Sequence, residues 1–289
     1  MRNVFTKDIR SMVVKVGTSV LTKGGCFDRK IIFDLAGEIS NFLRKGVRVS
    51  IVSSGAIGAG MTILKFKKRP ASMQALQACA AVGQRYLMQC YEEAFSRKGF
   101  STAQVLLTWD DLALRKRFLN AKHTLSQIQS WGLVPVINEN DTVATDEIRF
   151  GDNDRLSSLL SILVEADVLV ILSDTNGLYA EGKRHDKTSR IQIVERMEES
   201  VFSHAKENKN SFTVGGMSAK LKAIGASVSS GIPVFLANGR DPKVLTRIFK
   251  AEDIGTLFVP HLKKAHAKKN WIEHFVNHIQ QPFEKRLVP

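Results

Sequence analysis

The chain has 289 residues, with 42 Lys and Arg against 28 Asp and Glu for a net charge of +14, and it is 44% hydrophobic and 24% charged. That balance excludes collagen-like, coiled-coil and disordered classes and predicts a sizeable core, in one large domain or one domain with a small appendage. The first ten residues lack a signal-peptide core, no apolar run reaches membrane-spanning length, and Cys26, Cys79 and Cys90 form neither a CxxC nor a disulfide framework, so a cytoplasmic protein with buried, reduced cysteines is expected.

In chain order, apolar β-rich runs recur at Met12–Val16, Val47–Val52, Thr102–Leu107, Leu133–Ile137, Val168–Leu172 and Ile232–Leu236. Helical spacings of three and four lie between most of them, as in Ile32, Leu35, Ile39 and Phe42, or Leu156, Leu159, Leu160 and Leu163. This alternation predicts an α/β fold, a three-layer α/β/α sandwich around a mainly parallel sheet. Ligands of such sheets gather where the strands end at their carboxyl side, which directs attention to the residues that follow each strand.

The first strand ends in Lys15-Val-Gly17-Thr-Ser19, a lysine beside a glycine that lets a phosphate approach the backbone. Burying an unpaired ammonium is costly, so Lys15 either meets an anion or runs out to water at the sheet rim. The second strand ends in Ser53-Ser54-Gly55-Ala56 and the fifth in Ser173-Asp174-Thr175-Asn176-Gly177.

After the fourth strand comes an acidic cluster: Asn138-Glu139-Asn140-Asp141, then Asp146-Glu147, then Gly151-Asp152-Asn153-Asp154 opening an apolar helix. Carboxylates there can hold magnesium, orient lysines or bind a substrate ammonium. Asp152 or Asn153 also suits a plain helix N-cap. The segment Gly177-Leu-Tyr-Ala-Glu-Gly182-Lys183 matches part of a phosphate loop, but Arg184 replaces the hydroxyl that would hold magnesium and no apolar period follows, so a polar loop is expected.

A second lysine lies in Gly215-Gly216-Met217-Ser218-Ala219-Lys220, where paired glycines lead into a helix whose free N–H groups and dipole favour an anion. The alternative is a flexible loop before a basic helix. Residues 261–289 carry six Lys and Arg and four of the seven histidines, with Trp271, Phe275 and Ile279 spaced as one amphipathic helix. The expected organisation is one large α/β domain over 1–260 and a basic tail over 261–289.

Taken together, Val14-Lys-Val-Gly-Thr-Ser-Val-Leu21, Ser53-Ser-Gly-Ala-Ile57, Ala80-Ala-Val-Gly-Gln84, Arg117-Phe-Leu-Asn-Ala121, Pro135-Val-Ile-Asn-Glu-Asn-Asp141, Gly151-Asp-Asn-Asp154 and Gly215-Gly-Met217 with Lys220 resemble the glutamate 5-kinases of the amino-acid kinase family, from about Met12 to Phe258. The resemblance implies ATP-dependent phosphorylation of the γ-carboxylate of L-glutamate, with Mg²⁺ accompanying ATP, as the first step of proline synthesis. It assigns ATP to Lys15, Gly17, Ser173, Asp174 and the loop Val214, Gly215, Gly216, Met217, Ser218, Ala219 and Lys220. It assigns glutamate to Ser54, Asp141 and Asn153, gives Asp154 the task of holding the lysines, and places Lys15, Lys220 and Asp154 in catalysis with no protein ligand named for the metal. It further implies feedback inhibition by L-proline and a homo-oligomer, dimeric or tetrameric, with no membrane partner.

Two departures from the family pattern stand out. Thr213-Val214 replaces the usual Gly-Thr before Gly-Gly-Met, and longer members continue into an RNA-binding-type PUA module, expected to be absent here. The competing expectations are an amino-acid kinase for a different carboxylate, and a nucleic-acid-binding or regulatory protein that keeps the fold. The latter is disfavoured because acidic site residues repel a phosphate backbone.

Overall fold

The computed structural model describes residues 1–24, 26–144, 153–180, 187–205 and 216–260. After a 3₁₀ turn at Arg2–Phe5 come β1 (Ser11–Val16), α1 (Thr18–Leu21), β2 (Thr22–Lys23), β3 (Cys26–Phe27), α2 (Arg29–Arg44), β4 (Arg48–Ser53), α3 (Ala56–Ile63), α4 (Met73–Ser96), β5 (Thr102–Leu107), α5 (Trp109–Ala113), α6 (Arg115–Ser130) and β6 (Val134–Glu139). The second half holds α7 (Asn153–Leu163), β7 (Val168–Ser173), β8 (Leu178–Tyr179), β9 (Arg190–Ile191), β10 (Ile193–Val194), α8 (Glu199–Ser203), α9 (Met217–Ser229), β11 (Val234–Asn238), α10 (Val244–Phe249) and β12 (Thr256–Phe258).

Eight strands form the central sheet in the order β10-β12-β11-β7-β1-β4-β6-β5, parallel throughout except where β12 runs against β11. All six runs predicted as strands lie in this sheet, and the α/β/α sandwich is the observed architecture. The chain builds outward from β1 on one side through β4 and on the other through β7. This makes the carboxyl end of β1 the point where connections diverge and a crevice opens.

Side-chain alternation along β1 divides the core in two. Met12, Val14 and Val16 pack with Ile32, Leu35, Leu87 and Ile248 of α2, α4 and α10 on one face. Val13 faces the other way, toward Leu156, Leu160, Leu221 and Ile224 of α7 and α9. The same parity puts Lys15 on the α7–α9 side, which decides its partner.

Two close helix contacts depend on small residues. A Cβ on Gly83 of α4 would lie 1.8 Å from the carbonyl oxygen of Ala56, and one on Gly60 of α3 would lie 1.9 Å from that of Cys79, so α3 and α4 touch backbone to backbone. Between α7 and α9 the seam is hydroxylic: Ser227 donates to Ser158 at 2.9 Å, with Ser161 3.4 Å away, all buried.

At the opposite edge of the fold, the buried Arg2 guanidinium donates to the carbonyls of Gln192, Glu252, Ile254 and Gly255 and ties the N-terminus to the β10–β12 corner. Cys79 and Cys90 are buried, whereas Cys26 is exposed, correcting the expectation of three buried cysteines. It sits in the two-residue strand β3, which is too short to bury both faces. No helix among the described residues is long and apolar enough to cross a membrane.

Candidate active site

The carboxyl ends of β1, β4, β6, β7 and β11 meet along one edge of the sheet. Asp154, in the first turn of α7, lies between two lysines from distant parts of the chain. Its Oδ1 is 2.6 Å from Lys15 Nζ and its Oδ2 is 3.2 Å from Lys220 Nζ. Lys15 and Asp154 are 4% and 1% exposed, so this is a buried ion triad and not a surface ion pair. Burial alone would push the Asp154 carboxyl up, but the two ammonium groups outweigh it and hold the group below the ordinary carboxylate range.

Two glycines, Gly17 and Gly216, flank the triad. Gly17 follows β1, and a Cβ there would come within 3.1 Å of the Leu172 carbonyl and 3.5 Å of Lys15 Nζ, crowding the space in front of the lysine. Its N–H is bonded to the Leu172 carbonyl at 3.0 Å, which anchors the loop to β7. On the other side Gly216 caps α9 in extended conformation, and the first intrahelical bond there runs from Lys220 N–H to the Gly216 carbonyl at 3.3 Å. Met217, Ser218 and Ala219 form that first turn, so Lys220 projects about one turn beyond free helix N–H groups. Val214 and Gly215, with the Thr213-Val214 departure, lie outside the described residues, as do Asp146, Glu147, Gly151, Asp152, Lys183 and the tail.

At the end of β7, Ser173 is buried and its hydroxyl donates to the exposed Asp174 carboxylate at 3.1 Å, while the Gly239 N–H binds the Ser173 carbonyl at 2.9 Å. Arg240, next in line after β11, reaches back more than 200 residues. It donates to the carbonyls of Ser19, at 3.1 Å, and Thr22, and its other nitrogen is 3.7 Å from Asp28. It thereby fixes the segment that carries Gly17, a task with no local sign around Arg240 itself.

A second group of residues lies beside the triad. Asn153 is the first residue of α7, and its amide nitrogen donates to Ser54 Oγ at 2.8 Å and to Asn138 Oδ1 at 2.9 Å. Its side chain is thus spent on the strand ends and not on an N-cap. Asn138 in turn donates to Gln84 Oε1 at 2.8 Å. Ser54 follows β4 and precedes Gly55, whose φ of +100° turns the chain into α3. The neighbouring Ser53 hydroxyl donates to the Ser54 carbonyl at 3.0 Å and accepts from the buried Tyr91 hydroxyl at 2.9 Å, bracing the turn.

Asp141 takes no part in that chain of bonds. It lies in the turn after β6, partly exposed, and burial pushes its carboxyl up to about 6 while Arg69 pulls it back. Of the partial phosphate-loop match only residues 177–180 are described: Gly177, at φ +137°, allows close approach of Thr256, whose Oγ1 accepts from Leu178 N–H at 2.8 Å.

The structure thus brings together Lys15, Gly17, Asp154 and Lys220, and separately Ser54 and Asn153, with Ser173 and Asp174 along the same edge. Gln84, Asn138 and Arg240 join them without having been singled out individually in the sequence. For Gln84 the available signal was its place at the end of Ala80–Gln84, one of the motifs that carry the family resemblance, where it had no role of its own. Two ammonium groups converge on this edge of the sheet, an arrangement that suits a polyphosphate.

Comparison with known proteins agrees with this chemistry. Residues 10–238 match the amino acid kinase family. A glutamate 5-kinase of Chromohalobacter salexigens is 44% identical over 264 residues, covering 91% of this chain and 70% of the relative. Those of Geobacter metallireducens and Carboxydothermus hydrogenoformans are 43% and 45% identical, over 95% and 94% of this chain and 74% and 73% of theirs. Among solved structures, the UMP kinase of Bacillus anthracis superposes with a TM-score of 0.58 at 16% identity, covering 88% of this chain and 97% of its own, which is a likeness of fold. By both its motifs and its relatives, the chain belongs to the amino acid kinase family, in its glutamate 5-kinase branch.

Proposed function

We propose that this chain transfers the γ-phosphoryl group of ATP to the γ-carboxylate of L-glutamate, giving γ-glutamyl 5-phosphate and ADP, the first step of proline biosynthesis. The observation that carries the proposal is the buried Asp154 carboxylate between Lys15 and Lys220 at 2.6 and 3.2 Å.

The acceptor carboxylate is already ionised at neutral pH, so no strong general base is needed. What the site must supply is position and countercharge. Lys15 enters from β1 and Lys220 from α9, and Asp154 holds both ammonium groups in place before substrate arrives. Charge that spreads over the equatorial oxygens in the transition state then meets cations that need little reorganisation. The α9 N-terminus turns backbone N–H groups toward phosphate oxygens, and Gly17, whose own N–H is bonded to the Leu172 carbonyl, keeps the space before Lys15 clear of a Cβ. Mg²⁺ comes with ATP and neutralises phosphate charge. The lysine pair and glycine loops fit that nucleotide, and the metal itself takes few protein ligands where phosphates and water supply the rest. Ser54 and Asn153 line the glutamate side, and Asp141 offers a carboxylate to the α-ammonium.

Resemblance alone adds L-proline as feedback inhibitor and a dimeric or tetrameric assembly, while the sequence supports a cytoplasmic location and a division into a kinase domain over 1–260 and a basic tail over 261–289. The central test is ADP release and trapping of the labile acyl phosphate with glutamate, aspartate, N-acetylglutamate and carbamate in turn. Glutamate is expected to be preferred, and turnover to fall roughly 10²- to 10³-fold in Lys15→Ala and in Lys220→Ala. Activity only with another acceptor would replace the substrate assignment, and unchanged turnover in a variant would remove that lysine from the mechanism.

A further inference from the structure

Three amides run in a chain around the carboxyl edge of the sheet: Gln84 on α4 in one helical layer, Asn138 at the end of β6, and Asn153 at the start of α7 in the other layer. Oxygen and nitrogen of an amide look alike in shape, but here the backbone fixes their order. The Glu139 N–H can only donate, and it donates to Asn138 Oδ1 at 2.9 Å. Asn138 Oδ1 is therefore an acceptor, and the Asn153 atom facing it at 2.9 Å must be Nδ2. By the same logic the other Asn138 atom is Nδ2, and the Gln84 atom facing it at 2.8 Å must be Oε1.

One consequence is forced at each end. Gln84 is left with its donor, Nε2, and Asn153 with its acceptor, Oδ1. Both atoms are buried without a hydrogen-bond partner among the described residues, in residues 9% and 6% exposed. Buried amide groups without partners are costly, and folded proteins keep few of them. Here two of opposite polarity lie one asparagine apart, beside the proposed glutamate site. A zwitterionic amino-acid head group presents the complementary pair, a carboxylate that accepts and an ammonium that donates.

We propose that Gln84 is a specificity residue for the amino-acid substrate, its Nε2 donating to the α-carboxylate while Asn153 Oδ1 accepts from the α-ammonium. The α3–α4 contact gives this a structural basis. Because Gly83 lets α4 lie against the Ala56 carbonyl, the next residue, Gln84, comes low enough over the sheet end to reach Asn138. The inference rests on glutamate being the substrate.

Two variants test it. Gln84→Glu keeps an acceptor for Asn138 and removes the amide donor, and Gln84→Met keeps the length with neither. In each folded variant KM for glutamate should rise about 10- to 100-fold, the range of a hydrogen bond to a charged group. KM for ATP should hardly change. 4-Aminobutyrate, which keeps the γ-acid and the amine but lacks the α-carboxylate, should compete with an inhibition constant equal in parent and variants. A glutamate KM within twofold of the parent in either folded variant overturns the assignment, as does a loss of 4-aminobutyrate affinity equal to that of glutamate. A parent enzyme inactive with glutamate would instead remove the substrate reading itself, so the two failures are distinct.

Discussion

Replacing Asp154 by Asn tests the lysine clamp most directly. The substitution keeps shape and deletes the charge that faces two ammonium groups at 2.6 and 3.2 Å, in a residue 1% exposed. Removing one partner of a buried ion pair costs about 3–5 kcal/mol, because the charge left behind loses its nearest countercharge. In a chain of this size that corresponds to a fall in melting temperature of roughly 6–10 °C. The two lysines also lose their common anchor, so kcat should drop at least about 100-fold.

Nucleotide phosphates supply part of the missing negative charge, so saturating Mg²⁺-ATP should raise the melting temperature of Asp154→Asn by more than that of the parent. The pH arm follows from sign. The folded-state pKa of Asp154 is depressed, so its stabilisation is complete above the unfolded carboxylate range and is lost as pH falls through the lower folded value. The stability difference between parent and variant should thus hold from neutrality down to about pH 4 and narrow only below it. Thermal melts with and without nucleotide, together with steady-state kinetics, provide all three readouts. An Asn variant that melts with the parent and keeps kcat within threefold would refute the clamp.

Asp141 gives a pH signature of opposite sense. With its carboxyl raised to about 6, the ionised fraction grows roughly fourfold between pH 5.5 and 7.5, and KM for glutamate should fall by a similar factor in the parent but stay flat in Asp141→Asn. The same raised value means the folded state loses stability relative to the unfolded chain as pH rises from about 4 to 6, and Asp141→Asn should abolish that slope in melting data. Gly83→Ala places a methyl 1.8 Å from the Ala56 carbonyl and should cost about 3 kcal/mol or lead to insoluble protein. Gly37→Ala, in the middle of α2 with nothing within 4 Å of the new carbon, should instead stabilise by about 0.5–1 kcal/mol in denaturant titrations. Arg240→Ala, which releases the Ser19 and Thr22 carbonyls, should raise KM for ATP about tenfold with little change in KM for glutamate. Arg240→Lys should recover only part of it, since one ammonium cannot reproduce the planar fork.

The sheet was legible because each of its six longer strands is a short β-branched run between turn residues, the pattern demanded when both faces are buried. β10 and β12 escaped because two- and three-residue strands show no period, and nothing local to Thr256–Phe258 tells an antiparallel from a parallel partner. Lys15 was legible as a cation late in an apolar strand. Its bond to Asp154, 139 positions away, and that carboxylate's second bond to Lys220 became visible only through family resemblance, because ion pairs between distant segments leave no mark on local sequence. Gln84 stood at the end of a resemblance motif with no role attached to it. Only the approach of α4 to β6 shows that it faces inward.

The reversed direction of β12 has a consequence for anything attached beyond it. Phe258, the last residue of that strand, pairs with Val234, the first residue of β11, so the chain at Val259 and Pro260 leaves from the amino edge of the sheet. The depth of a five-residue strand, about 17 Å, separates that exit from the catalytic rim. A fluorescent reporter or surface tether joined there would begin behind the sheet and leave the mouth of the cleft facing solvent.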